Sequence, residues 1–317
     1  MDQPDESKFD TQTLNPDHQG TPHPFEWQTW MLIAVIYSLW VAGVLFYRDL
    51  PGWFVYPFLI AVAAWYMSLQ HELIHGHPTG NRRINRVFGL LPLTAWYPYD
   101  VYRESHLVHH RDQFLTLPGI DPESNYVPVA HYLASPMLVK GLLLCQRTML
   151  GRFATGPALA IFNLAREALS AHTRASPRHM RSWCLHLALL VLMLWVLWRV
   201  CGIAPWAYLL GVAYPAFGLA MLRSFYEHRP ADLPAHRIVS NEAGLLWRLL
   251  YLNNNFHAIH HEQPTLAWYK IPRMYWADRD GYLLRNGDFL IPGYLHLFAR
   301  YSLTAIDSPE FPKNKSR

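Results

Sequence analysis

Long uncharged apolar blocks alternate with polar ones along this chain. Trp27 to Tyr47 runs for 21 residues without Lys, Arg, His, Asp or Glu, and after Arg48-Asp49-Leu50-Pro51 the stretch Gly52 to Gln70 is again uncharged. A helix rises ~1.5 Å per residue, so roughly 20 residues cross ~30 Å of hydrocarbon and each block can span a bilayer. Ser182 to Cys201 forms a third span, with Arg199 close enough to its end to snorkel. Ile203 to Leu222 forms a fourth, expected to kink at Pro215 and its neighbouring glycines. Helices buried in a soluble α domain would be equally apolar. Two tight pairs with Trp and Tyr at their ends fit membrane hairpins better. The pattern therefore predicts an all-α integral membrane protein with four transmembrane helices, at about 27–47, 52–70, 182–201 and 203–222, in two hairpins.

Between the hairpins, Tyr132 to Gln146 and Phe153 to Ala165 are shorter apolar stretches, the first interrupted by Lys140. They read as amphipathic helices at the interface or as a shallow re-entrant pair, and either keeps the following polar block on the same side. Of the 27 Lys and Arg, 12 lie in residues 71–182 and 12 after residue 222, with only Arg48 and Arg199 near the hairpin tips. Positive charge collects on the cytoplasmic side, so the termini and the 71–182 segment are expected there, in the inner membrane if the source is bacterial. Residues 1–26 read as a disordered tail without a cleaved signal, 27–300 as the membrane domain and 301–317 as a C-terminal tail.

Composition narrows this picture. A mean hydropathy of +0.00 averages the apolar blocks against the polar ones, and a charged content of 16% excludes a disordered chain or a coiled coil. Three cysteines, Cys145, Cys184 and Cys201, lie in apolar stretches, exclude a disulfide framework and read as packing residues. The net charge of +4 comes without a basic run interleaved with aromatics, so no nucleic-acid partner is expected.

The 18 histidines are concentrated. His71-Glu72-Leu73-Ile74-His75, His106-Leu107-Val108-His109-His110 and His257-Ala258-Ile259-His260-His261 hold eight, where random placement would leave about one. On a helix, positions i, i+3 and i+4 share a face, so each window is expected to aim its imidazoles one way. The windows follow the spans, so they converge on one face just outside the lipid. His228, six residues beyond Leu222, is a further contributor. Eight or nine imidazoles exceed the four to six ligands of one ion, so two metals are implied. Glu72, Glu104, Asp112, Glu227 and Glu262 adjoin these histidines and could orient them, and Asn253 could join the site directly or through water. His77 reads as a local hydrogen-bonding residue. His18, His23, His131, His172, His179, His186, His236 and His296 lack ligand spacing and read as structural or surface histidines.

HELIH, HLVHH and HAIHH, distributed over two hairpins, resemble the HxxxH, HxxHH and HxxHH signature of the membrane fatty acid desaturase and hydroxylase superfamily. The resemblance covers roughly residues 27–275. The run Asn253-Asn254-Asn255-Phe256 and the trailing Pro264, Trp268, Tyr269 and Pro272 are similar to the bacterial lipid desaturase and carotenoid ketolase or hydroxylase branches. The resemblance implies a polar helical cap carrying a non-haem di-iron centre, with His71, His75, His106, His109, His110, His257, His260 and His261 as ligands and a ninth placed like His228. It implies dioxygen as co-substrate, a lipid or acyl substrate drawn from the bilayer, and electrons from a separate ferredoxin or small cytochrome with its reductase, since no donor domain is recognised in this sequence. A fatty acyl desaturase is the leading expectation, with a hydroxylase or ketolase of a lipid or carotenoid as its alternative on the same scaffold. HELIH also satisfies the HExxH motif of zinc metalloproteases, but that reading leaves both HxxHH windows unexplained. A transporter would put its ligands at mid-membrane depth, not beyond the span ends.

Overall fold

The computed structural model describes residues 25–174 and 176–312, without the side chains of Asp112 and residues 170–174. The expected tail up to residue 24, with His18 and His23, the last five residues and the His172 side chain lie outside that description. Among the described residues, four helices are long and apolar enough to cross a membrane, at Trp27–Leu45, Gly52–Ile74, Pro177–Cys201 and Pro205–Arg223, and they match the four predicted blocks. The first two are α1 (Trp27–Leu45) and α2 (Gly52–Ile74). At 23 residues α2 is about 34 Å long, more than the ~30 Å of hydrocarbon, so it runs past the expected end at Gln70 and carries His71 in its last turn.

Two helices bring the second histidine window into place: α3 (Arg82–Gly89), capped by the Asn81 side chain, and α4 (Tyr99–His109). The segment expected to hold two short apolar helices is more broken and then more extended than predicted. Its first part divides at Ser135-Pro136 into α5 (Val129–Ala134) and α6 (Met137–Cys145), because proline lacks the amide that would continue the helix. Its second part is one 26-residue helix, α7 (Met149–Arg174), carrying Pro157 inside it.

The third span is α8 (Pro177–Val196) ending in a π-helical turn over Leu197–Cys201. The fourth is built from α9 (Pro205–Tyr208), a π-helical turn over Leu209–Ala213, and α10 (Tyr214–Arg223). That π turn immediately precedes Pro215, where the missing amide leaves the ladder one bond short, so the expected disturbance takes the form of a widened turn. Close contact between α7 and α10 depends on Gly218, where an added Cβ would lie 2.5 Å from the Phe153 carbonyl oxygen.

Helix α2 is central, packing on α1, α3 and α10. The core between the spans holds Ile36, Leu59, Tyr66 and Tyr208 fully buried. Their polar atoms are matched: Trp40 Nε1 donates to the Tyr208 hydroxyl at 2.9 Å, Tyr208 donates to the Leu93 carbonyl at 2.8 Å, and Gln70 donates to the Gly89 carbonyl at 2.8 Å.

Beyond the fourth span come α11 (Leu245–Leu250), α12 (His257–Glu262), α13 (Ile271–Ala277), α14 (Arg279–Arg285) and α15 (Tyr294–Tyr301). Two parallel pairs of two-residue strands, absent from the all-helical expectation, staple distant segments: β1 (Val127–Pro128) with β4 (Glu310–Phe311), and β2 (Ser240–Asn241) with β3 (Leu290–Ile291). Glu26 is buried and bonded to His77 at 2.7 Å, so folded structure begins before residue 27. Asp307 pairs with Arg147, and β4 joins β1, so packing continues past residue 300.

Candidate metal centre

The nine singled-out histidines come together at the end of the bundle where α2 and α10 finish, and they divide into two groups. His71, His75, His106, His110 and His260 form one; His109, His228, His257 and His261 form the other; in each, one ligand atom per residue lies within 4.8 Å of the rest. The expectation that each window aims all its imidazoles one way is corrected here. A helix turns about 100° per residue, so i+4 lies about 40° to one side of i and i+3 about 60° to the other, which leaves i+3 and i+4 roughly 100° apart. His106 and His110 accordingly enter the five-histidine group and His109 the other, whereas His257 and His261 enter the four-histidine group and His260 the first. Each HxxHH window serves both groups, and His110 stacks on His261 at 4.4 Å where they meet.

The nitrogens converge as ligands of an ion do. Nε2 to Nε2 separations are 3.0 Å for His75–His106, His106–His110, His110–His260 and His109–His228, 3.1 Å for His228–His257 and 3.2 Å for His257–His261. Adjacent ligands about 2.1 Å from a common ion, at right angles, lie about 3.0 Å apart. The donor set, all imidazole, suits iron, zinc, copper or nickel.

Opposite ring nitrogens fix the orientations. His109 Nδ1 donates to Asp121 at 2.9 Å, His106 Nδ1 to Glu123 at 3.0 Å and His228 Nδ1 to the Arg237 carbonyl at 3.3 Å. Asp121 is itself held by the backbone amides of Thr116 and Glu123, at 2.8 and 2.9 Å. Asn254 spans the two groups: its Oδ1 accepts from His257 Nδ1 at 3.2 Å and its Nδ2 donates to His71 Nε2 at 3.3 Å. Asn253, the expected contributor, faces elsewhere. Its amide donates to the Trp268 carbonyl at 3.0 Å and its Oδ1 accepts from Arg248 at 3.0 Å. The cause is local, because Leu252 and Asn253 have φ of 49° and 58°, a left-handed turn that aims the next residue at the metals.

Of the adjoining carboxylates, Glu72 lies 3.7 Å from His71 and accepts from the Trp268 amide at 3.2 Å, and Glu227 lies 3.8 Å from His257 while paired with Arg223 at 2.7 Å. Glu104 instead pairs with His179 and Glu262 with Arg285, both at the surface, and the Asp112 side chain is outside the described residues. His77 is hydrogen-bonded to Glu26, as expected of a non-ligand. Asp121, Glu123 and Asn254 are the residues that sequence reasoning did not single out.

Burial, followed by mutual repulsion, holds His75, His110, His260 and His261 well below the usual imidazole range, and His106, His228 and His257 likewise. His109 is the exception: burial lowers it, but Glu123 and Asp121 together raise it to about 9. Burial also pushes the Glu227 carboxyl up, against the opposing effect of Arg223. Neutral imidazoles are the form that binds a metal, so most of the site is ready to ligate without first losing a proton.

Across residues 50–289 the chain matches the fatty acid desaturase family. It belongs to that family. The desaturase match takes in all nine histidines and three of the four spans, leaving α1 outside it. No curated protein matches the chain. For a desaturase-family protein the protease reading of HELIH has no support, since His71 and His75 sit in a five-imidazole group and Glu72 is held by the Trp268 amide.

Proposed function

We propose that this membrane protein of the desaturase family is an oxygen-dependent, non-haem di-iron enzyme that introduces a C=C bond into a lipid acyl chain. The observation that carries the reading is the division of nine imidazoles into groups of five and four. His71, His75, His106, His110 and His260 would hold one iron, and His109, His228, His257 and His261 the other. Held there, two irons would supply, with dioxygen and electrons from a separate ferredoxin or small cytochrome, the oxidising power to remove hydrogen from an unactivated CH2, which side chains lack.

The chain's own residues do the rest. Asp121, Glu123 and Asn254 hold His109, His106 and His257 by their Nδ1 atoms, so that the Nε2 atoms of these rings face inward. Tyr102 lies 5.8 Å from His106, and with Tyr97 and Phe217 it makes an aromatic wall beside the site that would keep water from an acyl chain placed there. Burial keeps the Tyr97 and Tyr102 hydroxyls protonated, their pKa values raised above the usual phenol value. The Lys and Arg distribution supports a cytoplasmic position for the metal end and both termini. The test is a lipid and carotenoid profile of a host expressing the protein, against a His110→Ala control. A new double bond that the control lacks is the expected result. A new hydroxyl or keto group would replace desaturation with oxygen transfer on the same scaffold, and one zinc per chain with peptidase activity would end the di-iron reading.

A further inference from the structure

Away from the histidines, at the same end of the bundle, a cavity of about 730 Å³ opens between α3, α4 and the first two turns of α8. Its lining includes Arg82 and Arg86 from α3, Asp100 from α4, and Arg178, Arg181 and Leu185 from α8. Asp100 is engaged bidentately by Arg86, with both bonds at 2.7 Å, so its charge is already matched. Arg82, Arg178 and Arg181 contribute three guanidiniums beyond that pair. Nearby Glu104 pairs with His179 at 3.3 Å. Arg103, one turn beyond Asp100, is held below its ordinary value by burial and then by Arg82. Like charges gathered around an open cavity oppose one another, and an anion in the cavity relieves that repulsion.

We propose that this cavity binds the phosphate of an anionic bilayer lipid, a phosphatidylglycerol-like headgroup, at a site separate from the metal centre. Guanidinium forks match phosphate oxygens in pairs, and the volume suits a polar headgroup. The lipid source follows from the position of the cavity. It lies at the start of the third span, and Leu185 on its wall is exposed. Leu192 and Val196 continue the same exposed stripe of α8 at i+7 and i+11, a track on which acyl chains can lie with the head in the cavity. Ser182 on α8 lies 3.4 Å from Asp100, so an occupied cavity braces α4, the helix that carries His106 and His109.

The test uses the full-length protein in nonionic detergent micelles with headgroup-labelled phosphatidylglycerol or phosphatidylcholine. A guanidinium's hydrogen bond to a charged phosphate is worth roughly tenfold in affinity or more, so Arg178→Gln/Arg181→Gln should weaken phosphatidylglycerol binding about 100-fold. Phosphatidylcholine binding should be weak and unchanged. Arg178→Lys/Arg181→Lys keeps the charge, should recover most of the affinity, and guards against a folding defect in the glutamine variant. Equal binding of the two lipids, or unchanged phosphatidylglycerol binding by a folded glutamine variant, would overturn the proposal. So would displacement of the lipid by inorganic phosphate at its own concentration, which would make the site one for a free anion.

Discussion

Asn253 and Asn254 are neighbours with opposite fates, and that separates what sequence spacing can convey from what it cannot. Histidine spacing is local: i, i+3 and i+4 on a helix stay near one another whatever the rest of the fold does, so the eight histidines of the three windows were legible by spacing and His228 only by its place just after the fourth span. Asp121 and Glu123 reach their partners across 12 and 17 residues of irregular chain, and no periodicity marks them. Asn254 is aimed by a left-handed turn that sequence pattern does not reveal. Asn254→Ala should therefore cost about 10–100-fold in metal affinity, the usual scale for a residue that orients ligands. Asn253→Ala should leave metal content intact and cost stability, about 1–2 kcal/mol, through a lost cap-like bond and a residue less tolerant of positive φ. Metal analysis and thermal melts of the two variants separate these outcomes.

The same residues set a pH response. Imidazoles lowered in the folded state cost stability once the unfolded chain begins to take up protons, near pH 6.5, and the cost grows as pH falls. His109 runs the other way: raised to about 9, it contributes stability that is complete below about pH 6.5 and lost as pH rises through 9. Melting temperatures of the chelated protein should peak near neutral pH, with the acid side steeper because seven imidazoles outweigh one. A monotonic rise toward acid would contradict this.

At the scale of elements, apolar length predicted the spans because hydrocarbon thickness sets it, and the largest departure lies where length is ambiguous. Phe153 to Ala165 reads as a short interfacial piece, yet it belongs to a 26-residue helix whose contact with α10 is set by one glycine. Gly218→Val should force these helices apart, as an added Cβ meets backbone and cannot be accommodated by rotation of a side chain. A cost of about 1–3 kcal/mol is expected. Since α10 leads into His228, the four-histidine group should bind metal more weakly, and the metal content of a still-folded variant should fall below that of the parent protein; full loading would refute this.

For the whole molecule, the even number of crossings brings α2 and α10 to the same end, and the histidines can meet only on that condition. Reporter fusions after Gly76 and after Ser224 should both report the cytoplasm, and opposite sides would be incompatible with the joint site. The strand pairs and the Asp307–Arg147 pair extend the fold beyond what hydropathy outlines, because such contacts join residues with no shared sequence pattern.

The two HxxHH helices each contribute to both groups, so neither helix can be set for one metal alone. On the proposed two-metal reading, an ion in either group would restrain both α4 and α12, so that less would remain to be ordered when the second ion arrives. Occupancy of the two positions should rise together, giving a sigmoidal titration with few singly loaded chains. A protein of this design would count metals in pairs, and half-loaded molecules should be scarce even when the metal is limiting.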